Sequence, residues 1–305
     1  MLQADAIITL GAGAYRLREQ LAGSAYGLVW RAASPGDGPD VALKLVNEAQ
    51  MLRAHPDLQP RWSASLAREI AFLKSLEPWD ERHIVRLLDS GVHNGLPVMA
   101  LELMGRDLGR HAGPVPFAQV LDWLGQVNQA LAKVHQYGWR YLDLKPANVL
   151  LHPQDNSIRL ADFGTSEPLA RQPASCYAGT ANWQAPEQFF PTPQNTYDTD
   201  ARTDYFALGA MFYYLVTGGL PLRFCSACGQ AYRDHQAGGA AALLARNQGS
   251  VPATLHADEE ALFVQRGATA AALPLLRTLL AADRADRPQH AVQISRMIAA
   301  SRSAA

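Results

Sequence analysis

The chain has 305 residues, 48% hydrophobic and 18% charged, enough apolar material for one two-lobed domain or two adjacent ones, and composition excludes a disordered polymer. With 27 basic and 28 acidic side chains the formal net charge is −1, which offers no general surface to nucleic acid or to an anionic membrane.

From the N-terminus, no basic region precedes the short apolar run 6–10, so no secretion signal is read and a soluble, cytoplasmic protein is expected. Residues 15–32 read as two strands joined by the turn Gly23-Ser24-Ala25-Tyr26-Gly27, which is either an ordinary hairpin turn or a small-residue cradle for phosphate. The next strand, 41–46, alternates so that Ala42, Lys44 and Val46 share a face. A lysine on that face needs a partner. Residues 47–62 carry Pro56 and Pro60 and read as a loop or a short helix. Over 63–77, Leu66, Ile70, Leu73 and Leu76 form a helical stripe with Glu69 inside it. Glu69 is either the partner of Lys44 or a solvated edge residue, and a carboxylate on a buried stripe is costly unless paired.

Two further strands, 84–88 and 96–103, flank the turn at Asn94-Gly95, and Gly105 marks a break. From Phe117 the spacing of Val120, Leu124, Val127, Leu131 and Val134 predicts a helix ending near Gly138. The chain thus passes from strand-rich to largely helical, which predicts a small sheet lobe and a larger helical lobe with a cleft between them. Within 141–151, Asp143, Lys145 and Asn148 crowd a bend at Pro146, after which Val149-Leu150-Leu151 reads as a short strand. Alone, that bend is a catalytic loop or merely a polar turn. A strand at 157–161 runs into Asp162-Phe163-Gly164, where Gly164 is expected to permit the turn. Residues 165–184 lack periodicity and read as a surface loop closed by Ala185-Pro186-Glu187. Residues 205–216 are apolar all round and predict a buried helix too short to span a bilayer; 273–280 and 291–300 predict two more.

Taken in order, these motifs resemble the serine/threonine type of protein kinase from about Tyr15 to about Met297. The matching residues are the glycine-rich turn, Val41-Ala42-Leu43-Lys44, Glu69, Asp143-x-Lys145-x-x-Asn148, Asp162-Phe163-Gly164, Gly179-Thr180, Ala185-Pro186-Glu187, Asp204 and Asp283-x-x-x-Arg287. The resemblance implies an α+β fold, an antiparallel N-lobe of about 15–103 and a mainly helical C-lobe of about 104–297. Residues 1–14 would be an extension, about 221–272 an atypical insertion and 298–305 a tail. It implies ATP held by Gly23, Ser24, Gly27, Val29, Ala42 and Leu150, with backbone groups from Glu102 to Met104 at the adenine edge. Lys44, held by Glu69, would pair the α- and β-phosphates, and Asn148 and Asp162 would hold Mg²⁺. Asp143 would accept the substrate hydroxyl's proton and Lys145 would steady the γ-phosphate, with Thr180 reaching both. Glu187–Arg287 and Asp204 would brace the large lobe. The implied partner is a protein substrate, the kinase itself included.

Three departures stand against that pattern. Ala22 and Ser24 replace glycines of the turn, which predicts either restricted approach to ATP or simple tolerance. Tyr141-Leu142 precedes Asp143 where the family usually has His-Arg, so the arginine that couples to a phosphorylated loop is missing. The expected enzyme is therefore not gated by phosphorylation of residues 165–180. Cys225-x-x-Cys228 followed by His235 is half of a Zn²⁺ site, to be completed by His256 or Cys176, or else an unliganded reduced pair in a reducing compartment. The competing functions are a pseudokinase scaffold and a small-molecule phosphotransferase.

Overall fold

The computed structural model describes residues 3–36, 38–110, 115–170 and 179–302, and its chain divides into two compact units. The first comprises residues 1–105 with 152–154 and 161–164, and the second comprises the rest.

In the first unit, β1 (Ile7–Leu10), β2 (Gly13–Gly23), β3 (Gly27–Ala33), β4 (Val41–Val46), β5 (Leu87–His93) and β6 (Leu96–Glu102) form one antiparallel sheet in the order β1-β2-β3-β4-β6-β5. One face buries Ile8, Leu10, Tyr15, Leu17, Trp30, Leu43, Leu45 and Val98. Strand alternation turns Ala42 and Lys44 the other way, and the register sets Val29 opposite Lys44 and Arg31 opposite Ala42. Residues 7–10, read from sequence as part of an extension, add an edge strand because Ile8 and Leu10 point into that core. Between β4 and β5 lie α1 (Glu48–Met51), capped by the Asn47 side chain, and α2 (Pro60–Ser75). The helix α2 begins three residues earlier than the stripe predicted, since Pro60 suits a first helical position, where no N–H is needed.

The second unit is mainly helical. It holds α3 (Phe117–Gln136), the short pairs β7 (Trp139–Arg140) with β10 (Glu167–Pro168) and β8 (Val149–Leu151) with β9 (Ile158–Leu160), then α4 (Pro186–Phe189) and α5 (Ala201–Val216). There follow α6 (Arg223–His235), α7 (Gly239–Arg246), α8 (Ala257–Gln265), α9 (Leu273–Leu279) and α10 (Ala291–Arg302). As its uniformly apolar sequence requires, α5 is buried on nearly every side. Asp200 caps it through the Arg202 amide. Among the described residues no helix is long and apolar enough to cross a membrane.

Candidate active site

In the sheet unit the mid-strand lysine has two partners. Lys44 Nζ lies 2.7 Å from Glu69 Oε2 and 2.8 Å from Asp162 Oδ1. Glu69 is 1% exposed and Lys44 14%, whereas Asp162 is 46% exposed. Burial works against the Lys44 charge, but the Asp162 and Glu69 carboxylates more than offset it, so its pKa rises and it stays an ammonium. Burial pushes the Glu69 carboxyl up, against the pull of Lys44. Glu69 is thus the paired residue of the two readings.

The Asp162-Phe163-Gly164 corner is made differently from expectation. The left-handed residue is Asp162, at φ 62°, and Gly164 serves another need. A Cβ on Gly164 would lie 2.4 Å from Ser65 Oγ on α2, and its carbonyl accepts hydrogen bonds from Ser65 Oγ at 3.1 Å and Arg68 Nη1 at 3.0 Å. Phe163, fully buried, stacks on Phe72 of α2 at 4.5 Å.

The residues expected at a nucleotide lie on this unit's strands and turns, Leu150 excepted. Gly23 ends β2, Gly27 starts β3, and Val29 and Ala42 share the Lys44 face. Glu102 ends β6, where its carboxylate accepts from the Arg86 amide at 3.0 Å; Met104 follows in the connecting segment. Ser24 Oγ accepts from the Gly27 amide at 3.1 Å and the Tyr26 amide at 3.3 Å, so the residue replacing glycine closes the turn on itself.

In the helical unit, Asp143, Lys145, Asn148 and Thr180 converge. Thr180 Oγ1 donates to Asp143 Oδ1 at 2.7 Å, and Lys145 Nζ donates to Asp143 Oδ2 and to Thr180 Oγ1, both at 2.7 Å. Asn148 Nδ2 donates to the Asp143 carbonyl at 2.9 Å and to Oδ2 at 3.2 Å, which leaves Oδ1 as the donor atom for a cation. Leu150, in β8, is half-buried. Asp204, 1% exposed, fastens the loop's start by accepting from the Tyr141 and Leu142 amides at 2.8 and 2.7 Å, with His135 Nε2 at 2.8 Å. Leu142 is buried at φ 69°. Arg287 pairs with Glu187 through both guanidinium ends at 2.7 and 2.9 Å and lies over the Phe206 ring, so two elements far apart in sequence share one bidentate bridge.

A pair that sequence reasoning missed is Arg140–Glu167. Arg140 is 2% exposed; its Nη2 lies 3.2 Å from Glu167 Oε2 and its Nη1 donates to the Thr199 carbonyl. A lone arginine beside Tyr141 carried no periodic signal, because its partners come from 27 and 59 residues away.

Of the two readings of the cysteine pair, the described residues do not support zinc. Cys225 and Cys228 are buried in α6, and burial raises both thiols, Cys228 to about 12. His235 is exposed at the end of the same helix, about 10 Å along the axis from Cys228 and about 15 Å from Cys225 by helical rise, whereas zinc ligands sit about 2 Å from the metal. Among the described residues no three His, Cys, Asp or Glu side chains are grouped to hold a metal ion, and Cys176 lies outside them.

A sheet-borne lysine held by a helix-borne glutamate, together with an aspartate-lysine-asparagine loop fastened by a threonine, defines the two-lobed kinase class of fold. The family model described as the protein kinase domain matches residues 15–297, and the chain belongs to that family. It is similar to the serine/threonine-protein kinase PknB of Mycolicibacterium smegmatis, 29% identical over 209 residues, covering 62% of this chain and 32% of that protein. It is also similar to the serine/threonine-protein kinase Pkn1 of Myxococcus xanthus, 28% identical over 226 residues, covering 71% of this chain and 31% of that one. The chain spans 27% to 61% of the length of the curated relatives it matches. A solved kinase domain of Mycobacterium tuberculosis PknI, a double mutant, matches with a TM-score of 0.64 and 25% identity, covering 99% of this chain and 100% of that one.

Proposed function

We propose that the chain is an ATP- and Mg²⁺-dependent serine/threonine protein kinase. The observation that carries this reading is Lys44 held between Glu69 and Asp162, since a buried ammonium with an exposed carboxylate beside it is what polyphosphate with a divalent cation requires. Lys44 pairs the α- and β-phosphates. Asp162 and Asn148 offer hard oxygen donors that fit Mg²⁺, which when bound offsets charge on the phosphates. Gly23, Ser24, Gly27, Val29, Ala42, Leu150 and the backbone from Glu102 to Met104 take the nucleotide. Asp143, its carboxylate oriented by Thr180 and Asn148, aligns the acceptor hydroxyl and takes its proton, while Lys145 neutralises charge on the transferred group. The substrate is a protein, the kinase itself included, and the reaction runs in the cytoplasm.

The reading includes activity without phosphorylation of residues 165–180. Supporting it, the described part of that stretch is already held: β10 pairs with β7, the Leu169 amide donates to the Gly138 carbonyl at 2.7 Å, and Glu167 pairs with Arg140. Incubation with labelled ATP and Mg²⁺ tests the whole, with Asp162→Ala as control and a phosphatase-treated sample alongside. Transfer to protein that is lost in Asp162→Ala is expected, at a rate that phosphatase treatment leaves unchanged. Nucleotide binding without transfer would favour a scaffold instead, and strong activation by phosphate on 165–180 would defeat the ungated part.

A further inference from the structure

The turn between β2 and β3 is fastened from outside itself. Three consecutive carbonyls accept hydrogen bonds: Ser24 from Asn47 Nδ2 at 2.7 Å, Ala25 from Trp62 Nε1 at 2.7 Å and Tyr26 from the Asn47 amide at 3.0 Å. The Tyr26 ring also lies 4.7 Å from the Trp62 ring. Trp62 is buried in the first turns of α2, and Glu69 follows two helical turns later on the same face. Ser65 and Arg68, on the intervening turns, hold the Gly164 carbonyl. One helix thus grips the small-residue turn, Lys44 and the Asp162 corner together.

We propose that Trp62, on α2, and Asn47, at the start of α1, are positioning residues that fasten the nucleotide turn and so set the affinity for ATP. The ATP clause rests on the kinase reading; the fastening does not. A turn of Gly, Ser and Ala residues without outside bonds is free to move, and a ligand that orders it loses affinity in doing so. Here that ordering precedes the ligand. The two Trp62 contacts also join the turn to Glu69 through α2, so a shift of α2 moves the turn and the Lys44 partner together.

The test uses the full chain with two variants. Trp62→Phe keeps a ring but removes the indole donor; Asn47→Asp keeps size and the side-chain oxygen that caps α1 but removes the amide donor to Ser24. If Trp62→Phe fails to fold, Asn47→Asp carries the measurement alone. Amide hydrogen exchange over 23–28 is expected to quicken in either variant, and the KM for ATP to rise about three- to tenfold, the range that losing one or two net hydrogen bonds supplies. The KM for a generic protein substrate should stay within about twofold, which a general loss of structure would not allow. Unchanged exchange in the folded variants overturns the fastening, and unchanged KM for ATP with quickened exchange overturns its role in affinity. A wild-type chain that neither binds ATP nor transfers phosphate would defeat the kinase reading instead, with the exchange data still deciding the fastening.

Discussion

At the scale of single residues, the hydroxyl of Thr180 joins two charged groups of the loop. It donates to Asp143 and accepts from Lys145 at once, so it fixes that carboxylate and that ammonium relative to each other. Thr180→Val keeps the shape and removes both bonds. Loss of two charge-assisted hydrogen bonds predicts a fall in kcat of at least about ten- to a hundredfold with the KM for ATP little changed, and Thr180→Ser should retain most activity. Steady-state kinetics with a generic protein substrate checks this; equal kcat in the valine variant would reduce Thr180 to a packing residue. This contact was legible in advance only through the family resemblance, since Thr180 and Asp143 lie 37 positions apart. Lys44–Glu69 was legible from the residues themselves, because a strand period and a helix period each put a charge on an apolar face. The corner at Asp162 was not: sequence assigned the unusual backbone to Gly164, whereas the strained residue is Asp162 and Gly164 answers a steric demand from α2.

At the scale of elements, long periodic segments were readable and short or small-residue ones were not. The alternation in β4 and the stripe in α3 are visible without any partner. β1, β7 and β10 are too short for a period to register, and α6 hid behind its cysteines. Buried thiols behave as small hydrophobes, and here they share the buried face of the helix with Phe224 and Ala231. What decides α6 is contact with the turn Ala181–Trp183, beside Thr180. A Cβ on Gly229 would come within 1.5 Å of Asn182 Oδ1 and 2.6 Å of its Cγ, so the helix approaches as near as glycine permits. Gly229→Ala should therefore displace the Asn182 side chain and cost up to about 1–3 kcal/mol of stability, as overpacking does. Gly125→Ala in α3, where an added Cβ meets nothing within 4 Å, should instead stabilise by up to about 1 kcal/mol through helix propensity. Urea titration of both variants reads the contrast directly, and two equal effects would show that α6 has room to move.

At the scale of the whole molecule, each unit buries ionisable groups that the unfolded chain would release to water, and the sign of the resulting pH dependence follows. In the helical unit burial raises Cys228 from 9.0 to about 12 and raises Cys225 as well, with Cys228 and Glu259 adding to the latter. In the sheet unit burial raises Tyr15 from 10.0 to about 12, aided by its hydrogen bond to Asp89 at 3.1 Å. All three groups are neutral when protonated, so the native state keeps its protons to higher pH than the unfolded chain does. Wherever the unfolded state binds fewer protons, stability falls as pH rises. The contribution is complete below pH 9 and is lost progressively from there to about pH 12, at up to about 1.4 kcal/mol per pH unit for each group between its unfolded and folded values. Urea midpoints measured under reducing conditions should hold steady between about pH 7 and 9 and then drop by pH 10. The double variant Cys225→Ala, Cys228→Ala should flatten the drop while losing some stability at neutral pH, because two buried thiols leave small cavities. A wild-type midpoint that stays level to pH 10 would show that the thiols titrate in the folded chain as they do in water and would overturn the burial argument.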